Sequence, residues 1–305
     1  MSVVHELPLE RRNLHGHFSR DLAPVLAVDP GDSIVSATLN AGWRLESDRE
    51  LFDDRDPELD AGHALCGPVE VRGALPGGTL AVHVDELRVG PWGVTWGGGF
   101  PTPLNERLGV ADGETRILHW TLDADAGIGH DQVGREVTLH PFLGVIGMPP
   151  PEPGVHPTGP PRRFGGNIDC SELVEGATLY LPIPVEGGLL SFGDGHARQG
   201  DGEVSQLAIE APMERVRLTV SLADFELEYP VAHIGGAWVT FGFDEDLDEA
   251  AALAIEGMLE LMRRDHGLER RDALALASVV VDLRVTQLVN GARGVHAILR
   301  DDALR

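Results

Sequence analysis

Lysine is absent from this chain, and all 24 basic residues are arginine. Against them stand 49 acidic residues, which gives a formal net charge of -25. A chain this acidic repels phosphate backbones and anionic lipid, so nucleic acid and membrane surfaces are excluded as expected partners. Long apolar runs are missing too. None approaches the roughly 20 residues of a membrane helix, and the N-terminal segment has no apolar stretch of the signal-peptide kind. The expected location is therefore cytoplasmic. Cysteine is scarce, with Cys66 and Cys170 the only two. Two cannot staple a disulfide-dense scaffold, and in a cytoplasmic protein both are expected to be reduced. Also missing are a Gly-x-Ser-x-Gly elbow, a P-loop and a dinucleotide fingerprint. The triplet Gly97-Gly98-Gly99 lacks the strand–helix setting those motifs need.

Glycine and proline are plentiful, at 38 and 21 residues spread over the whole length. Between them lie short β-branched segments at 25–28, 33–39, 69–71, 79–84, 177–183 and 216–220. Such runs with turn punctuation predict many short strands. Residues 1–245 are accordingly expected to form a sandwich or distorted barrel. The C-terminal part changes character. Over 246–264, Leu247, Ala250, Ala251, Ala254, Met258 and Leu261 make one apolar stripe at helical spacing. Acidic residues crowd its first turn, Arg263 and Arg264 its last, and Gly267 stops it. Residues 271–289 read as a second helix, although Val279, Val280 and Val281 also permit a strand. The fold class is thus mainly β with C-terminal α-helical elements, α+β overall. A Pro-rich stretch at 148–161 is expected to be a stiff, extended loop leading into a site.

The densest polar cluster is 193–203, GDGHARQGDGE, directly after the apolar stretch 188–192. Alternation along an extended chain points Asp194 and His196 the same way, and oxygen plus imidazole suits zinc. Asp201 and Glu203 form a second such pair. A solvated glycine-rich turn is the competing reading of the segment. In Phe164-Gly165-Gly166-Asn167-Ile168-Asp169-Cys170 the glycines permit a sharp turn that presents Asp169. His63 stands just before a turn and a strand, where a lone histidine is more often structural than a ligand. His15 and His17 make a His-x-His pair, another metal-ligand spacing. Cys66 and Cys170 leave a thiol hydrolase open, but neither has a base in a diagnostic position.

Taken in order, these segments resemble the acetamidase/formamidase family. The blocks that carry the resemblance are 23–32, 63–77, 141–147, 160–169, 181–188, 193–203 and 278–287. The most specific is 193–203. The resemblance implies a largely β fold, homo-oligomeric assembly as a dimer or higher, and hydrolysis of formamide, acetamide and related short amides. It further implies a divalent metal, zinc first and calcium second, with His63, Asp169, Asp194 and His196 as ligands and Glu203 as a site carboxylate. It covers 1–305 as a single unit, with 1–145 a β-rich part and 146–305 β followed by helices. The chain departs from the family pattern at Asn40, where an acidic residue is common, at Gly78, where aspartate is usual, and at His17, where an aromatic often stands. These departures bear on substrate choice.

Amides are poor electrophiles with very poor leaving groups. Their hydrolysis needs a strong nucleophile, a stabilised oxyanion and a proton for nitrogen. A zinc-like ion supplies the first two, and Glu203 is expected to carry the proton. The alternatives are a metal-binding β module without catalysis and a thiol-dependent hydrolase using Cys66 or Cys170.

Overall fold

The computed structural model describes residues 2–47, 49–50 and 55–304. Strands dominate, as the turn-punctuated β-branched runs predict. The largest sheet has nine strands, in the order Val4–Glu6, Ser33–Thr38, Met213–Ala223, Thr79–Val89, Thr178–Pro182, Val231–Ile234, Ala237–Asp244, Arg293–Arg300 and Val281–Gln287. A second sheet runs Gly165–Asn167, Phe142–Gly147, Leu190–His196, Leu65–Val71 and Leu14–His15, with Leu26–Val28 pairing in parallel to Leu65–Val71. A four-stranded antiparallel meander, from Trp92–Gly97 to Glu136–Thr138, lies beside them.

One apolar core joins the two larger sheets. Ile34, Leu80, Val82, Leu218 and Val220 of the first meet Cys66, Val69, Leu190 and Phe192 of the second. In the nine-stranded sheet, Met213–Ala223 alternates between buried and more accessible residues, as a strand with one covered face should. Leu190–His196, by contrast, is buried at every position. This strand carries Asp194 and His196 into the interior, where a polar side chain needs a partner.

The helix expected over 246–264 is observed as Leu247–His266. The Asp246 carboxylate accepts from the Asp248 backbone N–H at its start, and Gly267, with φ 66°, ends it. Its buried face includes Ala250, Ala254, Met258 and Met262, packed on Val295, Ala297 and Leu299 of the sheet. The approach is close because the residues are small. A Cβ at Gly242 would fall 2.0 Å from the Ala250 carbonyl oxygen. The ambiguity over 271–289 resolves into both readings. Arg270–Val280 is a helix, and Val281–Gln287 continues directly as the last strand of the large sheet. The change falls in the valine run, where β-branching disfavours helix and favours strand.

Gly242→Val should lower stability by about 1–3 kcal/mol or more through overpacking between helix and sheet. Denaturant unfolding of the variant against the parent chain measures this. An unchanged midpoint would mean that the helix does not sit this close.

Candidate metal centre

The site is assembled on paired strands of the second sheet. Phe142–Gly147 runs antiparallel to Leu190–His196, with Phe142 opposite His196 and Leu143 opposite Gly195. The Phe142 ring stands edge-on to the His196 imidazole at 4.9 Å and fixes its plane. His196 Nε2 lies 3.3 Å from Asp194 Oδ1 and 3.3 Å from Glu210 Oε1. On its other side, Nδ1 is 4.0 Å from Asp169 Oδ1. Glu203 completes a trio with Asp169 and His196, while Asp194, His196 and Glu210 form a second. All five side chains are buried.

Two local features make room for this crowding. Asp169, Asp194 and Glu203 have φ of 53°, 58° and 45°, and they are three of six such non-glycine residues among those described. Left-handed backbone is costly for such residues and tends to cluster at functional sites. Gly144 supplies the space, since a Cβ there would come 2.4 Å from Asp194 Oδ2 and 2.6 Å from Asp169 Oδ1. Hydrogen bonds from near and distant segments then hold the pieces. Asn290 Nδ2 donates to Asp169 Oδ2, Gln199 Nε2 donates to the Asp169 carbonyl at 2.7 Å, and the Ala208 N–H donates to Glu210 Oε1 at 3.0 Å. Gly202, beside Glu203, is tied to the last strand of the large sheet through Thr286 and Leu288.

Burial raises the carboxyls of Asp169, Glu203 and Glu210, and neighbouring carboxylates add to it, so that Glu203 reaches about 8. Burial also works against an ionised imidazole, but Glu210 and Asp194 hold His196 well above its ordinary range. Asp194 stays ionised despite its burial because His196 and His63 face it. Several polar atoms remain without a hydrogen-bond partner among the described residues: Asp169 Oδ1, His196 Nδ1, Glu203 Oε2 and Glu210 Oε2. Each such buried atom costs on the order of 1–3 kcal/mol. Converging carboxylate oxygens and an imidazole nitrogen, all orphaned, fit a divalent cation.

The structure thus brings Asp169, Asp194, His196 and Glu203 together. His63 stands at the rim, with Nε2 4.0 Å from Asp194 Oδ2. Thr158 in the Pro-rich stretch steadies it, with Oγ1 accepting from the His63 backbone N–H at 2.9 Å and meeting Nδ1 at 2.7 Å. Three expectations need correction. Asp194 and His196 converge, but not by plain alternation, because Asp194 is left-handed. Asp201 and Glu203 do not face one way. Asp201 is exposed near Ser171 and Arg284, while Glu203 turns inward. His15 and His17 are engaged elsewhere, His15 with Ser191 Oγ and the His17 carbonyl, His17 with the Leu59 carbonyl. Glu210 was not anticipated. Its only local signal is a lone acid inside the apolar stretch 207–213, since it joins the site through long-range bridges to Val94 and His196. Both thiols are buried, and burial pushes Cys66 up to about 12 and raises Cys170 as well. Neither is suited to be a thiolate nucleophile. Of the departures, Asn40 is a turn residue whose Oδ1 accepts from the Arg44 N–H.

The model of the acetamidase/formamidase family matches residues 3–156 and 153–233. The chain belongs to that family. It is 26% identical over 270 residues to the formamidase of Methylophilus methylotrophus, covering 67% of this chain and 64% of that protein. The chain spans between 60% and 65% of the length of the curated relatives it matches. Two solved structures share the fold. A predicted acetamidase/formamidase of Thermoanaerobacter tengcongensis superposes with a TM-score of 0.85 at 26% identity, covering 99% of this chain and 97% of that one. An acetamidase of Bacillus halodurans gives 0.84 at 26% identity, covering 97% of each chain.

Two outcomes are expected of the site. Gly144→Ala should weaken divalent-metal affinity by about 10–100-fold, the scale seen when the support of ligands is disturbed, as metal titration of the chelated variant would show. Unchanged affinity would mean that the carboxylates need not crowd this strand. The second outcome is a pH slope. The ordinary carboxyl value of Glu203 is 4.5 and its folded value about 8 without an ion. Across that window the folded chain holds more protons than the unfolded one, so stability falls as pH rises. Thermal melts in chelator should show this fall between about 4.5 and 8, and a divalent ion should remove most of it. A melting temperature that rises across the window would contradict the assignment.

Proposed function

We propose that the chain hydrolyses a short-chain amide of the formamide or acetamide kind to the carboxylate and ammonia. The observation that carries this reading, together with the family, is the buried cluster of four carboxylates around one imidazole with orphaned donor atoms. Asp169, Asp194 and His196 would hold a divalent ion, with His63 reaching it from the rim and Glu210 joining the set. The imidazole favours zinc, whereas calcium prefers oxygen donors alone. When bound, such an ion lowers the pKa of water to about 7 and polarises the amide carbonyl.

The chain's own residues supply the remainder. Glu203 has a raised pKa near the working range, so it can take a proton from water and return it to nitrogen. Hydroxide adds to the carbonyl carbon, the C–N bond breaks, and the returned proton completes ammonia. Asn290 and Gln199 orient Asp169, and Phe142 fixes the His196 ring. A substrate this small offers little remote binding energy, so the enclosing strands must supply orientation and exclude bulk water. Assembly with further copies of the chain, which the family resemblance implies, belongs to the same reading, as does cytoplasmic placement, the default for a chain without long apolar runs.

Ammonia release from formamide, acetamide and propionamide is expected from the metal-loaded chain and should disappear on chelation. Metal binding without any ammonia would favour a non-catalytic module. Glu203→Gln should retain the metal and lower kcat by about two to four orders of magnitude, the scale of general acid–base catalysis, with KM nearly unchanged. A normal rate would remove Glu203 from the chemistry. Cys66→Ser and Cys170→Ser should each keep most of the activity, and loss of turnover in either stable variant would return the thiol mechanism to consideration.

A further inference from the structure

The chain turns between its last two strands, Val281–Gln287 and Arg293–Arg300, through residues 288–292. Gly291 takes φ 82° there, and among the described residues no backbone–backbone hydrogen bond lies within the turn. One side chain supplies the bonds instead. Gln287 Oε1 accepts from the Val289 N–H at 2.7 Å and from the Asn290 N–H at 3.1 Å, and its Nε2 donates to the Ala292 carbonyl at 2.6 Å. An amide suits this task because its oxygen has two lone pairs and its nitrogen carries donors.

A bulge aims this side chain. Val285 pairs with Val295 and Gln287 with Gly294, so Thr286 is an extra residue on its strand. Bulges re-aim side chains and are frequent beside active sites. Here two consecutive residues are buried, Thr286 at 1% exposure and Gln287 at 0%. Thr286 Oγ1 meets His296 Nδ1 at 2.8 Å, while Gln287 folds back onto the turn.

The turn has two arms, and each ends at the metal centre. Asn290, whose N–H Gln287 holds, donates through Nδ2 to Asp169 Oδ2. On the other arm, the Thr286 carbonyl accepts from the Gly202 N–H at 3.0 Å, and the Leu288 N–H donates to the Gly202 carbonyl at 3.1 Å. Gly202 thus bridges Gln287 like a one-residue strand, and this fixes the peptide from which Glu203 departs. Asp169 and Glu203 converge with His196 in one buried trio. Their spacing therefore depends on the turn that holds both.

We propose that Gln287 is a positioning residue of the reaction. It shapes the 288–292 turn so that Asn290 holds the Asp169 carboxylate while the flanking backbone holds Glu203. It thereby sets the spacing between an ion-binding acid and the proton carrier. The effect on turnover rests on the amide-hydrolysis reading above; the effect on metal affinity does not. Val289, Asn290 and Ala292 are only half-buried, so water can take over the backbone groups that Gln287 serves, and the fold should survive its loss.

Two mutant cycles on the full chain test this. Gln287→Met should weaken zinc affinity and lower kcat, each by about 10–100-fold, the scale for residues that orient ligands and reacting groups, with KM nearly unchanged. Asn290→Ala should weaken zinc affinity on the same scale. In that background Gln287→Met should weaken it little further, because the arm is already cut. At saturating zinc, Gln287→Met should lower the residual kcat of Glu203→Gln much less than it lowers that of the parent chain. Gln287→Asn keeps the amide but withdraws it by one methylene, and it carries the same cycles if the methionine variant does not fold. Equal losses in every background would mean a general structural role and overturn the proposal. Parent-like zinc affinity and turnover in Gln287→Met would overturn it too. A parent chain that binds zinc but releases no ammonia would sink the amide reading alone, and the zinc cycle would then decide on Gln287. A parent chain that binds no zinc would overturn both.

Discussion

Four carboxylates buried around one imidazole set the terms for the rest of this molecule. Asp169, Asp194, Glu203 and Glu210 are all nearly inaccessible to water. No arginine pairs with any of them among the described residues, so His196 is the protein's own source of positive charge there. Removing several anions from water without counter-charge is among the most expensive things a fold can do. The raised carboxyl values of Asp169, Glu203 and Glu210 express that cost as proton uptake. A divalent cation offers the other solution, because it satisfies the orphaned oxygens and stabilises their ionised forms together.

Much of the architecture reads as support for this cluster. A fully buried strand delivers Asp194 and His196, and its neighbour passes close because Gly144 has no side chain. Left-handed backbone at Asp169, Asp194 and Glu203 aims three acids at one place, a cost that surrounding hydrogen bonds must offset. The C-terminal segment reaches in as well. Asn290 donates to Asp169, and Thr286 clamps the residue before Glu203. The end of the large sheet and the centre of the small one are therefore mechanically joined, and both sheets draw strands from each half of the chain.

The fold was legible where local signals agree with tertiary need. Short β-branched runs became strands at Ser33–Thr38, Thr79–Val89 and Met213–Ala223, and the stripe ending at Gly267 became a helix. Over 271–289 the sequence held two preferences, and the chain uses each in turn. At the site, glycine density pointed to 193–203 and to Asp169, because close approach and unusual φ leave that compositional trace. Side-chain direction was less legible. The period-2 rule pairs Asp201 with Glu203, yet positive φ at Gly202 and Glu203 turns Glu203 inward and leaves Asp201 in solvent. Glu210 left almost no trace, since its place depends on bridges to Val94 and His196 that only the folded chain creates.

The central claim is that this acidic cluster is a cation site. Anomalous diffraction from crystals of the protein loaded with zinc, collected on both sides of the metal's absorption edge, tests it most directly. The account predicts a strong peak bounded by His196 and the carboxylates of Asp169, Asp194 and Glu210, with their orphaned oxygens turned toward it and Glu203 standing beside it. Absence of a peak there, with those oxygens bonded to water or to one another through protons, would contradict it.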